Sequence, residues 1–113
     1  FERYELEKRI YSGGVAGASK SSPRIDAVAW NGGKATLVEA KVLVDPSSMM
    51  SGVGQLLFYK QACISRLGWD VDRLVLISPA WPAEFLETVA ANKIPVDLVK
   101  ITPDMVYAMR AVN

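Results

Sequence analysis

The sequence has 113 residues, half of them apolar and 22% charged, which is the composition of one globular domain with a single modest core. The absence of histidine excludes His-based triads, HNH-type nucleases, two-His metal sites and most zinc enzymes, leaving oxygen-held hard ions such as magnesium or manganese. Net charge is only +1, with nine basic against six acidic groups in residues 1–66 and four against six in the remainder; this mild asymmetry permits a nucleic-acid face without demonstrating one.

Cys63 is the only cysteine, so no internal disulfide is possible, and a cytoplasmic setting is the expectation. No apolar run reaches the roughly 18 residues of a membrane span, and no basic segment followed by an apolar stretch opens the chain. Residues 2–11 read as a helix with Tyr4, Leu6, Ile10 and Tyr11 on an inward arc, Glu7 near its middle, and Glu2, Glu5 and Arg9 opposite. Opening at Phe1 inside that helix leaves room for an upstream segment, so residues 1–113 are taken as one domain of a chain that could be longer. Residues 12–22, rich in Gly, Ala and Ser, read as a loop with a short strand near 15–19.

Pro23 introduces a strand over 24–30, and Asn31-Gly32-Gly33 leads into a second strand over 34–44. Glycine and asparagine between two apolar runs form a strong hairpin signal. The longest helix is expected over 51–67, closed by Gly68. A strand at 74–78, a helix at 82–92 with Pro at its first turn, a strand at 96–101 and a last helix at 103–111 capped by Thr102 complete the order. The expectation is an α/β fold with a mixed central sheet flanked by helices.

Residues two apart in a strand share a face, so Glu39 and Lys41 point the same way, away from Val38, Ala40, Val42 and Val44. With Gly32-Gly33 as the hairpin loop, Asp26 falls opposite Glu39. With Asn31-Gly32 as the loop it faces Leu37 and lies diagonal to Glu39. Either register brings Asp26, Glu39 and Lys41 onto one face within roughly 5–8 Å. A three-residue loop would reverse the relation unless a bulge restored it.

Two carboxylates that close repel unless a cation sits between them. A magnesium or manganese ion held by Asp26, Glu39 and the Ala40 carbonyl removes the conflict and neutralises charge on a phosphate oxygen, while Lys41 orients or deprotonates the attacking water. Glu-x-Lys alone is ordinarily a cross-strand surface pair of little consequence; Asp26 in register is what lifts it above that.

Asp26, thirteen residues before Glu39-Ala40-Lys41 and preceded by a Gly-rich loop and a leading helix, resembles the PD-(D/E)XK nuclease superfamily. The resemblance runs from Glu7 to about Ile101 and includes Gly54-Gln55-Leu56-Leu57-Phe58-Tyr59, similar to the Gln and Tyr signature of RecB-like members. Ile25 precedes Asp26 where the family name has Pro. The resemblance implies a restriction-endonuclease-like αβββαβ core and magnesium-dependent cleavage of nucleic acid, most readily DNA, by a homodimeric endonuclease of the restriction, repair or junction-resolving kind. It makes Asp26 and Glu39 metal ligands, Glu7 a supplementary acid of the first helix, and Gln55 a contact to the active-site groups or scissile phosphate. Tyr59, Lys60, Arg24 and Lys20 are the candidate nucleic-acid contacts. A nuclease effector or toxin domain acting on DNA or RNA, and an inactive nucleic-acid-binding module on the same fold, are the alternatives. Trp30, Trp69 and Trp81 are expected to pack at strand ends, and Cys63 to lie in the core.

Overall fold

The computed structural model describes residues 3–9, 24–101 and 104. Among these residues the chain forms β1 (Arg3–Arg9), β2 (Arg24–Asn31), β3 (Lys34–Ala40), α1 (Pro46–Leu67), β4 (Asp70–Ser78), α2 (Ala83–Ala91) and β5 (Asp97–Lys100). The five strands make one sheet in chain order. β1, β2 and β3 pair antiparallel, and β3, β4 and β5 pair parallel. This is the expected mixed sheet.

The hairpin turns as the glycines require. Gly32 and Gly33 both have positive φ, +60° and +79°, and Asn31 pairs with Lys34 across them. A two-residue loop with both φ positive matches the right-handed twist of the strands it joins. Of the two registers left open by the sequence, this one sets Asp26 at the position across from Glu39.

The expected first helix is instead β1. Arg, Glu, Leu and Lys favour helices in isolation, but Tyr4 and Leu6 alternate with charged neighbours, and β2 offers an open ladder running from Trp30 to Arg24. Among the described residues β1 lies at the edge of the sheet, a position where charged residues are common. The expected loop at 12–22 and its short strand lie outside the described residues, as do Ile10, Lys20, Thr102 and all of the expected last helix except Asp104.

β3 ends at Ala40, four residues short of its expected end, because Asp45-Pro46 starts α1 early. Asp45 caps that helix: its carboxylate accepts from the Ser48 amide at 3.0 Å and from the Ser48 hydroxyl at 2.7 Å, with Pro46 in the first turn. These bonds, the hydroxyl's first, hold the Asp45 carboxyl below its ordinary 3.8. A depressed folded-state value means stability present above 3.8 and lost as pH falls through that lowered value. Asp45→Ala is therefore expected to lower the thermal midpoint at neutral pH, with the gap between the two proteins closing in acid. At the other end Gly68, at φ +68°, closes α1 by donating its amide to the Cys63 carbonyl.

α1 lies across β3 and β4. Its buried stripe, which includes Met49, Val53, Leu56, Ala62 and Cys63, packs on the sheet face that carries Val28, Trp30, Leu37, Leu74 and Leu76. Leu37, Leu56 and Leu76 are fully buried, so the expected core role of Cys63 holds. Trp30 and Trp69 meet edge to face at 4.6 Å, and Trp81 stacks on Phe85 at 5.8 Å, so all three tryptophans serve packing.

Candidate active site

The face of the sheet beneath α1 is apolar until the carboxyl end of β3. There the alternation that buries Leu37 sets Glu39 and then Lys41 on the same side, beside Leu76 and Ser78 of β4. Glu39 is almost wholly enclosed, its side chain 4% exposed, and the Lys41 ammonium stands 3.7 Å from its carboxylate with 20% exposure. The Lys41 amide still donates to the Ile77 carbonyl at 2.9 Å. The chain therefore remains docked on β4 at Lys41 before it turns toward α1.

Asp26 reaches the same place from β2. The backbone pairing of β2 with β3 runs from Asn31–Lys34 to Ala27–Val38. At the next step the Asp26 side chain takes over: its Oδ2 accepts from the Ala40 amide at 2.8 Å. The amide and carbonyl of one strand residue point to the same neighbour, so the Ala40 carbonyl faces this same gap. Asp26, Glu39, Lys41 and the Ala40 backbone are thus brought together where the two strands part.

The roof comes from α1. A Cβ on Gly52 would lie 2.8 Å from Leu76 Cδ1 and 3.2 Å from Lys41 Cε, so only glycine lets the lysine stem run along the helix. One turn on is Gln55, and one further turn is Tyr59, on the same stripe. Among the described residues Gln55 Oε1 is buried and has no hydrogen-bond partner. The Tyr59 hydroxyl is pushed up to about 12, first by burial and then by the negative charges of Glu39 and Asp26. Both carboxylates therefore act on one phenol.

That phenol gives a pH signature. Tyr59 stays neutral in the folded protein up to about 12, whereas an unfolded tyrosine ionises near 10.0. The associated stability is complete below 10 and lost as pH rises toward 12. Tyr59→Phe is expected to show a flatter loss of thermal midpoint over that window, read beside the phenolate absorbance of the parent protein.

Tyr59 is 3% exposed, so its position is under the helix and against the carboxylates rather than on the surface. Lys60 is half-buried and Arg24 is exposed. Arg24 shares the sheet face of Asp26, one alternation farther out. Glu7 is not on a helix: the β1 register passes from Leu6–Ala27 to Lys8–Ile25, which sets Glu7 across from Asp26. Gly52 was not legible as part of the site. Its one signal is a glycine inside a long helical run, which usually marks a close approach.

The donor set suits a hard cation. Asp26 is bonded to the Ala40 amide and Glu39 precedes Ala40 on the strand, and the buried Gln55 acceptor, without a partner among the described residues, leaves room for a hydrogen-bond donor. Among the described residues no third acidic or thiol side chain joins Asp26 and Glu39. A magnesium ion would accordingly take water for the rest of its octahedral shell, as it commonly does.

The mixed sheet with α1 across it, and the parting of β2 and β3 at an acidic pair, define a restriction-endonuclease-like α/β core. Comparisons with protein-family models and with curated proteins find no match. Among solved structures the fold is similar to that of a repair endonuclease from Pyrococcus abyssi, with a TM-score of 0.52 and 19% identity. The match covers 88% of this chain and 40% of that one, so the chain spans two fifths of that protein's length. At this identity the likeness establishes the fold. Among the described residues no helix is long and apolar enough to cross a membrane.

Proposed function

We propose that this chain is the core of a metal-dependent endonuclease of the PD-(D/E)XK kind, hydrolysing phosphodiester bonds of DNA. The observation that carries the reading is the convergence of Asp26, Glu39 and Lys41 at the parting of β2 and β3, with the Asp26 carboxylate fixed on the Ala40 amide at 2.8 Å. Asp26, Glu39 and the Ala40 carbonyl would hold magnesium or manganese, with Glu7 a further candidate from β1. When bound, the ion supplies Lewis-acid stabilisation of the charge that builds on a phosphate oxygen.

The chain's own groups account for the rest. Asp26 is held by the Ala40 amide, so its second oxygen has a fixed direction and needs no reorganisation during reaction. Lys41, restrained by Gly52 and paired with Glu39, presents its ammonium on the same face, where it would orient the attacking water and stabilise the hydroxide formed from it, the proton leaving to bulk solvent. Gln55 offers its amide to the water or to the scissile phosphate. Arg24 and Lys60 are suited to backbone phosphates, which attract cations without regard to sequence. The fold of a repair endonuclease supports the choice of DNA.

The test is cleavage of plasmid DNA, single-stranded DNA and RNA, each with magnesium, manganese or EDTA, beside Lys41→Ala. Cleavage of DNA with either metal, abolished by EDTA and reduced at least about 100-fold in Lys41→Ala, is the expected result. Cleavage that persists in EDTA, or at parental rate in Lys41→Ala, sinks the mechanism. Cleavage of RNA alone replaces DNA by RNA as substrate and favours an effector domain.

A further inference from the structure

Between Lys41 and α1 the chain carries its most exposed apolar side chain. Leu43 leaves 71% of its surface in solvent, more than any other large apolar residue among the described ones, and its neighbour Val44 leaves 40%. The span has little freedom to fold inward and hide them, because it is fixed at both ends. The Lys41 amide donates to the Ile77 carbonyl at 2.9 Å, and the Asp45 carbonyl accepts from the Met49 amide at 3.1 Å. The Asp45 carboxylate is bound as well, by the Ser48 amide and hydroxyl. Only Val42, Leu43 and Val44 are left to climb from the sheet to the helix layer. A short surface connection ordinarily carries polar or turn-forming residues. This one is wholly apolar, and no cation follows it until Lys60.

We propose that Leu43 and Val44 are an apolar wedge that enters the base stack of a duplex substrate near the scissile phosphate and unstacks one step of it. The role rests on the proposed nuclease chemistry, which sets the reacting phosphate at Asp26, Glu39 and Lys41. Leu43 follows Lys41 by two residues, so their Cα atoms are no more than about 7 Å apart. Successive phosphates of one strand are spaced by roughly 3.4 Å along the duplex axis. Leu43 therefore stands only a few base steps from the phosphate that Lys41 serves. Charge decides which part of the substrate meets the span. A phosphate finds no cation from Val42 to Tyr59 and meets the Asp45 carboxylate instead, whereas the face of a base is uncharged. Aliphatic side chains that enter DNA between base pairs part the stack and kink the duplex. Such a side chain must not retreat as the stack opens, and the bonds at Lys41 and Asp45 give it a rigid mount. A protein partner seated on Leu43 would instead stand across the approach to Lys41 and oppose cleavage.

The test uses a short DNA duplex whose cut position has been mapped with the parent protein, the same duplex with an abasic nucleotide at the scissile step, and the cut strand alone, each in magnesium. Leu43→Ser is compared with Leu43→Met, which keeps the apolar bulk, and circular dichroism checks that both are folded. Leu43→Ser is expected to cut the intact duplex about tenfold more slowly, roughly the worth of one base-stacking step. It should lose much less on the abasic duplex and the single strand, where no stacked pair needs parting, and Leu43→Met should stay near the parent rate. A 2-aminopurine at the scissile step should brighten when Lys41→Ala binds the duplex, and less when Leu43→Ser is added to that variant. A parental rate for Leu43→Ser on the intact duplex, or an equal loss on all three substrates, overturns the wedge and leaves the nuclease reading in place. So does a 2-aminopurine signal unchanged by the binding of Lys41→Ala, which decides the matter if Leu43→Ser does not fold. A parent protein that cuts no DNA overturns both.

Discussion

Lys41→Ala is expected to lose both cleavage and stability, and Glu39→Gln added to it is expected to restore the stability alone. The reason lies in the asymmetry of the pair. Glu39 is 4% exposed while Lys41 keeps 20%, so removing the lysine takes an ammonium at 3.7 Å away from an enclosed carboxylate. Removing one partner of a fully buried pair costs about 3–5 kcal/mol. The partial exposure of Lys41 brings the expected loss to about 2–3 kcal/mol, or roughly 10 °C in thermal midpoint for a domain of this size. Glu39→Gln then removes the charge that needed compensation, and the double variant should recover most of that loss while remaining inactive. Thermal melts in EDTA, combined as a double-mutant cycle, measure the coupling. If the double variant stays as unstable as Lys41→Ala, the cost came from the lysine stem and not from the charge. Magnesium should raise the midpoint of Lys41→Ala more than that of the parent, because a bound cation substitutes for the missing ammonium.

Gly52→Ala is expected to reduce cleavage severalfold, because a new Cβ would lie 3.2 Å from Lys41 Cε as well as 2.8 Å from Leu76 Cδ1. The second distance is too short for any Cβ, so Leu76 or the helix must move, at a cost of about 1–3 kcal/mol. The first asks the lysine stem to give by a few tenths of an ångström, a fraction of the roughly 1 Å misplacement that costs on the order of 100-fold in rate. Adding Leu76→Val separates the two effects. Shortening Leu76 removes the worst contact and should return much of the stability, whereas the crowding of Lys41 persists and cleavage stays low. Recovery of both together would place the defect in helix position and leave Lys41 unaffected.

The part of the site that the sequence made legible is the part built from one hairpin. Glycine at positions 32 and 33 permits the two positive φ values, and strict alternation does the rest, so the shared face of Asp26, Glu39 and Lys41 follows from local rules. The end of α1 at Gly68 is local in the same sense, whereas Cys63 and the tryptophans were legible as core from their apolar character although Trp30 meets Trp69 from far along the chain.

What depended on partners distant in sequence was not legible. β1 is made of residues that favour helix alone, and becomes a strand because β2 offers it a ladder; Glu7 moves with it, to the position across from Asp26. The end of β3 at Ala40 is the exception, since the Asp45–Ser48 cap that draws the chain into α1 is a local signal. Tyr59, a nucleic-acid contact by the family resemblance, is enclosed because α1 lies directly over the carboxylates. Gly52 shows its use only when Lys41 is set beneath it. The sequence by itself determined which groups share a face, since that is a property of the strand. The tertiary structure decided how deeply they are buried and what covers them, since both are set by packing between elements far apart along the chain.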